Sequence, residues 1–183
     1  MDIFLVRHGE AAAHWGQDPD PGLSALGEQQ AVVAAQALLP RLPGDVSLVS
    51  SPLLRAQETA FPLAKSLGAT VSINDAFCEI PAPVPLAQRK TWLRGFMQQS
   101  WEEQPRELLA WRDHALEQLL ELSTPTVIFT HFLVLNAIVG RVLESSETLY
   151  FWPDNASITH LKLKNKSSLE LLSLGAQMDT VVN

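Results

Sequence analysis

Apolar and polar positions follow two alternating rhythms along this chain. Residues 2–6 (DIFLV) form a short, nearly unbroken apolar run, the pattern of a buried β-strand. After a Pro/Gly/Asp loop, Ser24 is placed to cap a helix carrying Leu26, Ala31, Ala34, Ala35, Leu38 and Leu39 at helical spacing, ended by Pro40. Residues 46–50 (VSLVS) predict a second strand. Ser51 and Pro52 then predict a helix start with proline in its first turn, running to Leu67 and stopping at Gly68. A third strand is expected at 70–73 and a fourth at 125–130 (PTVIFT), the latter running straight into a helix over 132–143. Two late alternating stretches, 157–163 and 168–174, read as a hairpin around KNKS. Strands alternating with helices predict an α/β fold on a largely parallel central sheet.

Residues 86–121 read as two helices parted near Pro105. Their aromatic stripe, Trp92, Phe96, Trp101 and Trp111, is expected to be packed in a core or a lid. With 183 residues, no internal repeat and no long linker, one domain is expected. The net charge of −7 argues against a broad nucleic-acid or anionic-membrane surface, yet leaves room for a locally basic pocket. Cys78 is the only cysteine, which excludes an intrachain disulfide and favours a reducing compartment. The first residues have neither the charge nor the length of a signal peptide. The uncharged run 122–140 is broken by Pro125, Thr130, His131 and Asn136, so no membrane span is expected there. A cytoplasmic location follows from these points as an expectation.

Three segments share one design: a strand end, a run carrying imidazole or guanidinium, then a helix or loop. They are LVRHGE (5–10), LVSSPLLRAQETA (48–60) and VIFTHFLVL (127–135). Ligands of open parallel sheets bind outside the carboxyl ends of the strands. Adjacent strands would therefore bring Arg7, His8, Arg55 and His131 together there, with helix N-termini adding N–H donors. Two guanidiniums and two imidazoles suit a tetrahedral dianion, because arginine matches phosphate bidentately. Gly9 is expected to admit the phosphoryl group close to the backbone. Cations beside His8 would keep its imidazole neutral and nucleophilic, which points to a phosphohistidine. The leaving oxygen then needs a proton. Glu79, set among Phe77, Cys78 and Ile80 before a stiff PAPVP loop, is the preferred acid, with Glu10 as its rival.

These segments resemble the histidine phosphatase superfamily, the phosphoglycerate mutase-like proteins. LVRHGE is similar to that family's signature. GLSALGEQQA (22–31), SSPLLRAQETA (50–60), VIFTHFLVL and NASITHL (155–161) match its later elements in order. The resemblance implies a three-layer sandwich with helices on both sheet faces and a small helical lid around residues 80–121. It implies His8 as the phosphorylated nucleophile, Glu79 as proton donor, and Arg7, Arg55 and His131 as the phosphate pocket. It implies no metal and no organic cofactor.

The chain departs from the family at three places. His14 stands where asparagine is common, Phe132 follows the second histidine in place of glycine, and PAPVP replaces the mutase stretch after the acid. His14 and Trp15 are candidates for the pocket rim. Arg89, Lys90 and Arg94 could grip a second anionic group of a substrate, but a solvated helix face is the preferred reading. His114 and His160 are expected to be solvated or locally hydrogen-bonded. There is no Cys-x5-Arg, no G-x-S-x-G elbow, and no cysteine or histidine spacing suited to zinc. The reading is a metal-independent phosphatase for small phosphomonoesters, with a phosphoprotein substrate also open. A mutase-type phosphotransferase or an inactive phospho-ligand binder are the alternatives.

Overall fold

In the computed structural model, which describes residues 1–13, 18–165 and 167–178, six strands join in one sheet. They are β1 (Asp2–Arg7), β2 (Ser47–Ser50), β3 (Val71–Ile73), β4 (Thr126–Thr130), β5 (Ile158–Lys164) and β6 (Ser168–Ser173). Their order is β3-β2-β4-β1-β5-β6. The first four are mutually parallel, while β5 runs antiparallel to β1 and forms the expected hairpin with β6.

The apolar run of β1 explains the layering. Side chains of a strand alternate between faces. Phe4 and Val6 pack on one side against Ala34 and Leu38 of α1 (Ala25–Leu38) and Ala60 and Leu63 of α2 (Leu54–Leu67). Ile3 and Leu5 pack on the other side against Leu119 of α4 (Arg106–Leu120) and Val134 and Ile138 of α5 (Phe132–Val142). Helices thus cover both faces of a mostly parallel sheet, as such sheets require.

The segment 80–121 divides in two. The short helix α3 (Arg89–Phe96) joins a separate cluster with Trp101 and Phe132, on the pocket side of the molecule. Ala115 and Leu119 place α4 in the main core. Only the first half of this segment therefore roofs the pocket. The run 122–140 becomes β4 and α5, and no described helix is long and apolar enough to cross a membrane.

Local chemistry sets the helix ends. Ser24 Oγ accepts the Gly27 N–H at 3.1 Å and caps α1. Gly68, at φ 60°, ends α2 in the left-handed conformation that glycine adopts without strain. The start of α2 differs from expectation. It begins at Leu54, not at Pro52, and there Asp20 Oδ1 accepts the Leu54 N–H from a distant loop at 2.8 Å.

Parallel pairing brings the carboxyl ends of β1, β2 and β4 to one edge. Val6 faces Ile158, so the loop entering β5 arrives at the same edge. The β1 end and α1 meet backbone to backbone: a Cβ on Gly27 would lie 2.1 Å from the Glu10 carbonyl oxygen. Gly27→Ala is accordingly expected to lose roughly 1–3 kcal/mol of stability, the usual range for overpacking. Gly95→Ala, whose Cβ meets nothing within 4 Å, is expected to gain roughly 0.5–1 kcal/mol from helix propensity. Chemical denaturation of the two variants checks the contrast.

Candidate active site

Backbone bonds fix the end of β1 from both sides. The His8 N–H donates to Thr130 O of β4 at 2.9 Å, and His8 O accepts from Ala156 N at 3.2 Å. The Gly9 N–H donates to Thr59 Oγ1, which in turn donates to Arg55 O at 2.7 Å. One threonine thereby ties the loop after β1 to the first turns of α2. Gly9 also makes room for α1: a Cβ there would lie 2.5 Å from Gly27 O.

The imidazole of His8 is oriented by that same glycine. Its Nδ1 lies 2.7 Å from Gly9 O. A carbonyl only accepts, so Nδ1 carries the proton and Nε2 keeps its lone pair. The Arg55 Nε–H points at that lone pair from 3.2 Å. Burial, then the guanidiniums of Arg55 and Arg7, hold the His8 pKa well below the ordinary histidine range.

Both guanidiniums are themselves buried. Arg7 Nη1 donates to Pro153 O at 2.8 Å, and the group stacks over the Phe132 ring at 5.2 Å. Burial lowers the Arg7 pKa to about 10, with Glu79 acting in the opposite direction, so the side chain remains cationic. Arg55 also approaches Asp20 Oδ1 at 3.8 Å.

His131, fully buried, lies at the junction of β4 and α5 with its ring 5.2 Å from that of His8. Its Nε2 meets Ser51 Oγ at 2.7 Å. Burial foremost, then His8 and the arginines, pushes its pKa well below the histidine range.

Glu79 arrives on a segment anchored twice. Thr130 Oγ1 donates to Phe77 O at 2.8 Å, and Trp111 Nε1 donates to Cys78 O at 3.0 Å. The Glu79 carboxylate accepts from Ile80 N at 3.0 Å and faces the Leu133 N–H at the start of α5. Burial outweighs these hydrogen bonds and the nearby arginines, so its pKa is raised above the ordinary carboxylate value. Arg7, His8, Arg55 and Glu79 line one cavity of about 860 Å³, and the fully buried His131 ring sits 5.2 Å from that of His8 beside it. A deep, cationic recess with a neutral imidazole and a proton-rich carboxyl can bind phosphate and move protons.

The cavity mouth holds what sequence reasoning missed. Arg89 and Lys90 line it together with Leu86 and Leu93. Arg89 is half-buried and donates to Ile80 O at 3.2 Å, so it is not on a solvated face, whereas Arg94 is exposed. Helical periodicity assigns these positions to a common stripe, and only the seating of α3 over the pocket separates them. Glu10 lines the cavity, but its carboxylate is engaged by the Ser24 hydroxyl at 2.7 Å. His160 pairs with Asp2 at 2.9 Å and stacks on Phe4, away from the site. His14 and Trp15 lie outside the described residues. Among the described residues no cluster of histidine, cysteine, aspartate and glutamate is arranged to hold a metal ion.

Comparison with known proteins places the fold. Among solved structures, phosphoserine phosphatase from Entamoeba histolytica in complex with 3-phosphoglyceric acid superposes with a TM-score of 0.75 at 22% identity, over 96% of this chain and 97% of that one. A mycobacterial glucosyl-3-phosphoglycerate phosphatase with inorganic phosphate gives 0.73 at 22% identity, over 96% and 97%. At that identity the likeness establishes the fold. In sequence, the serine/threonine-protein phosphatase PGAM5 of Xenopus laevis is 27% identical over 94% of this chain and 64% of its own length. The glucosyl-3-phosphoglycerate phosphatase of Mycolicibacterium vanbaalenii is 34% identical over 62% of this chain and 48% of that protein. The chain thus spans less than two thirds of these curated relatives. The model of the histidine phosphatase superfamily, branch 1, matches residues 3–174. With that match over nearly its whole length, this chain belongs to the histidine phosphatase superfamily.

Proposed function

We propose that this chain hydrolyses small phosphate monoesters through a covalent phosphohistidine on His8. The observation that carries the reading is the state of that imidazole: neutral, protonated on Nδ1, with Nε2 facing a guanidinium. Phosphoryl oxygens compete for the Arg55 Nε–H, and its transfer to them frees the Nε2 lone pair. Nε2 then forms a bond to phosphorus as the ester P–O bond breaks, and the Glu79 carboxyl gives its proton to the leaving oxygen. The resulting carboxylate takes a proton from water, whose oxygen attacks phosphorus and releases phosphate from Nε2. Arg7, Arg55 and His131 hold the phosphoryl oxygens, where positioning and charge stabilisation supply most of the catalysis in such transfers.

Arg89 and Lys90 at the mouth extend the reading to substrate choice. They suit esters with a second anionic group, such as phosphoserine or a phosphoglycerate. Relatives of this fold are named for esters of that kind.

Phosphate release from p-nitrophenyl phosphate without added metal tests the mechanism. His8→Ala is expected to abolish both turnover and the acid-labile phosphoenzyme, and Glu79→Gln to lower kcat by roughly 10²–10⁴-fold, the usual range for a general acid. A folded wild-type chain that neither turns over nor becomes labelled would sink the proposal.

The pH profile of kcat/KM follows from the two shifted groups. His8 loses its nucleophilic form only below its lowered pKa, so the acid limb lies below the ordinary histidine range. Glu79 stops donating above its raised pKa, so the alkaline limb lies above the ordinary carboxylate range. The alkaline limb is expected to vanish in Glu79→Gln. For the second anionic group, Arg89→Ala is expected to raise KM for phosphoserine about tenfold, in line with one lost charge-assisted contact. KM for p-nitrophenyl phosphate, which has no such group, is expected to change less than twofold.

A further inference from the structure

Ser51 is fully buried at the end of β2, and its hydroxyl has three neighbours. It accepts the Leu53 N–H at 3.2 Å. The Cys78 thiol comes within hydrogen-bonding reach of it. The third neighbour is His131 Nε2, at 2.7 Å. The ring of His131 is neutral, so it carries a single N–H, and the direction of the short Ser51 bond decides which nitrogen bears it. The Leu53 N–H takes one lone pair of the hydroxyl, and the Cys78 sulfur competes only weakly for the serine proton. The serine proton is then free for the imidazole nitrogen, a far better acceptor than sulfur. His131 Nδ1 is left buried with no hydrogen-bond partner among the described residues. A buried orphan of this kind is costly unless a ligand satisfies it.

We propose that Ser51 is a positioning residue: by donating to Nε2 it fixes the Nδ1–H tautomer of His131, making that ring a donor to a phosphoryl oxygen. Without the hydroxyl the proton is free to sit on Nε2, and Nδ1 would present a lone pair to a dianion. The inference extends the hydrolase reading above by naming what orients its second histidine.

The test is long-range 1H–15N correlation on the full chain with 15N-labelled histidine, the His131 signals being assigned by their loss in His131→Gln. Wild type is expected to show Nδ1 protonated. Ser51→Ala is expected to move the proton largely to Nε2 and to weaken inorganic phosphate binding roughly 10–100-fold, the range seen when orienting partners are removed. Ser51→Thr, which keeps the hydroxyl, is expected to restore the wild-type tautomer. A wild-type ring protonated on Nε2 overturns the inference. So does Ser51→Ala with tautomer and phosphate affinity unchanged. Should Ser51→Ala fail to fold, the wild-type spectrum alone decides. Neither readout needs turnover. A chain with the expected tautomer and phosphate affinity that hydrolyses nothing would contradict the hydrolase reading and leave this inference standing.

Discussion

The contact between Arg55 Nε and His8 Nε2, made below the molecular surface, is the constraint around which the site is arranged. A guanidinium 3.2 Å from an imidazole is tolerable only if the ring stays neutral and turns a lone pair toward the cation. The Gly9 carbonyl ensures this by taking the proton on the opposite nitrogen. That carbonyl is in place because Gly9 and Gly27 let β1 and α1 approach backbone to backbone. Thr59 closes the ring of constraints by bonding both Gly9 N and Arg55 O. A glycine pair, a threonine and two strand registers thus set one tautomer.

The electrostatic balance around this pair is divided by distance and burial. Arg7 and Arg55 are held by carbonyls and carboxylates that leave them charged, and their charge in turn suppresses protonation of both imidazoles. Glu79 is subject to the opposing pulls of burial and neighbouring cations, and burial wins. A nucleophile with a lowered pKa and an acid with a raised one are what a proton-coupled transfer near neutral pH requires. Two long-range hydrogen bonds, Thr130 to Phe77 and Trp111 to Cys78, place the carboxyl without holding it directly. The acid therefore depends on packing between the sheet and α4, although α4 contributes no group to the cavity.

The cavity has two layers. Its floor is built from the ends of β1 and β2, the first turn of α2 and Glu79, set against the start of α5. Its mouth is built from α3, seated by Leu93 and Phe96 in an apolar cluster of its own, and from the loop after β1. On the proposed function, Arg89 and Lys90 stand where a second charge of the ligand would fall.

The sequence by itself determined the strand–helix alternation, the two-sided burial of β1 and the identity of the recess residues. It could do so because each depends on local pattern: an apolar run broken by Arg7-His8-Gly9, or Arg55 and His131 next to strand ends. Five matching segments in order carried the family resemblance for the same reason. Other features turned on groups far apart in the chain. Asp20 caps a helix 34 residues away, and Ser51 meets His131 across 80 residues. The close approach of Gly9 to Gly27 depends on where α1 settles, and the partial burial of Arg89 on where α3 does. Only the tertiary structure decided these, because a hydroxyl, a glycine or an arginine has several possible partners. The choice among them is made by which surfaces the packed sheet brings within 3 Å.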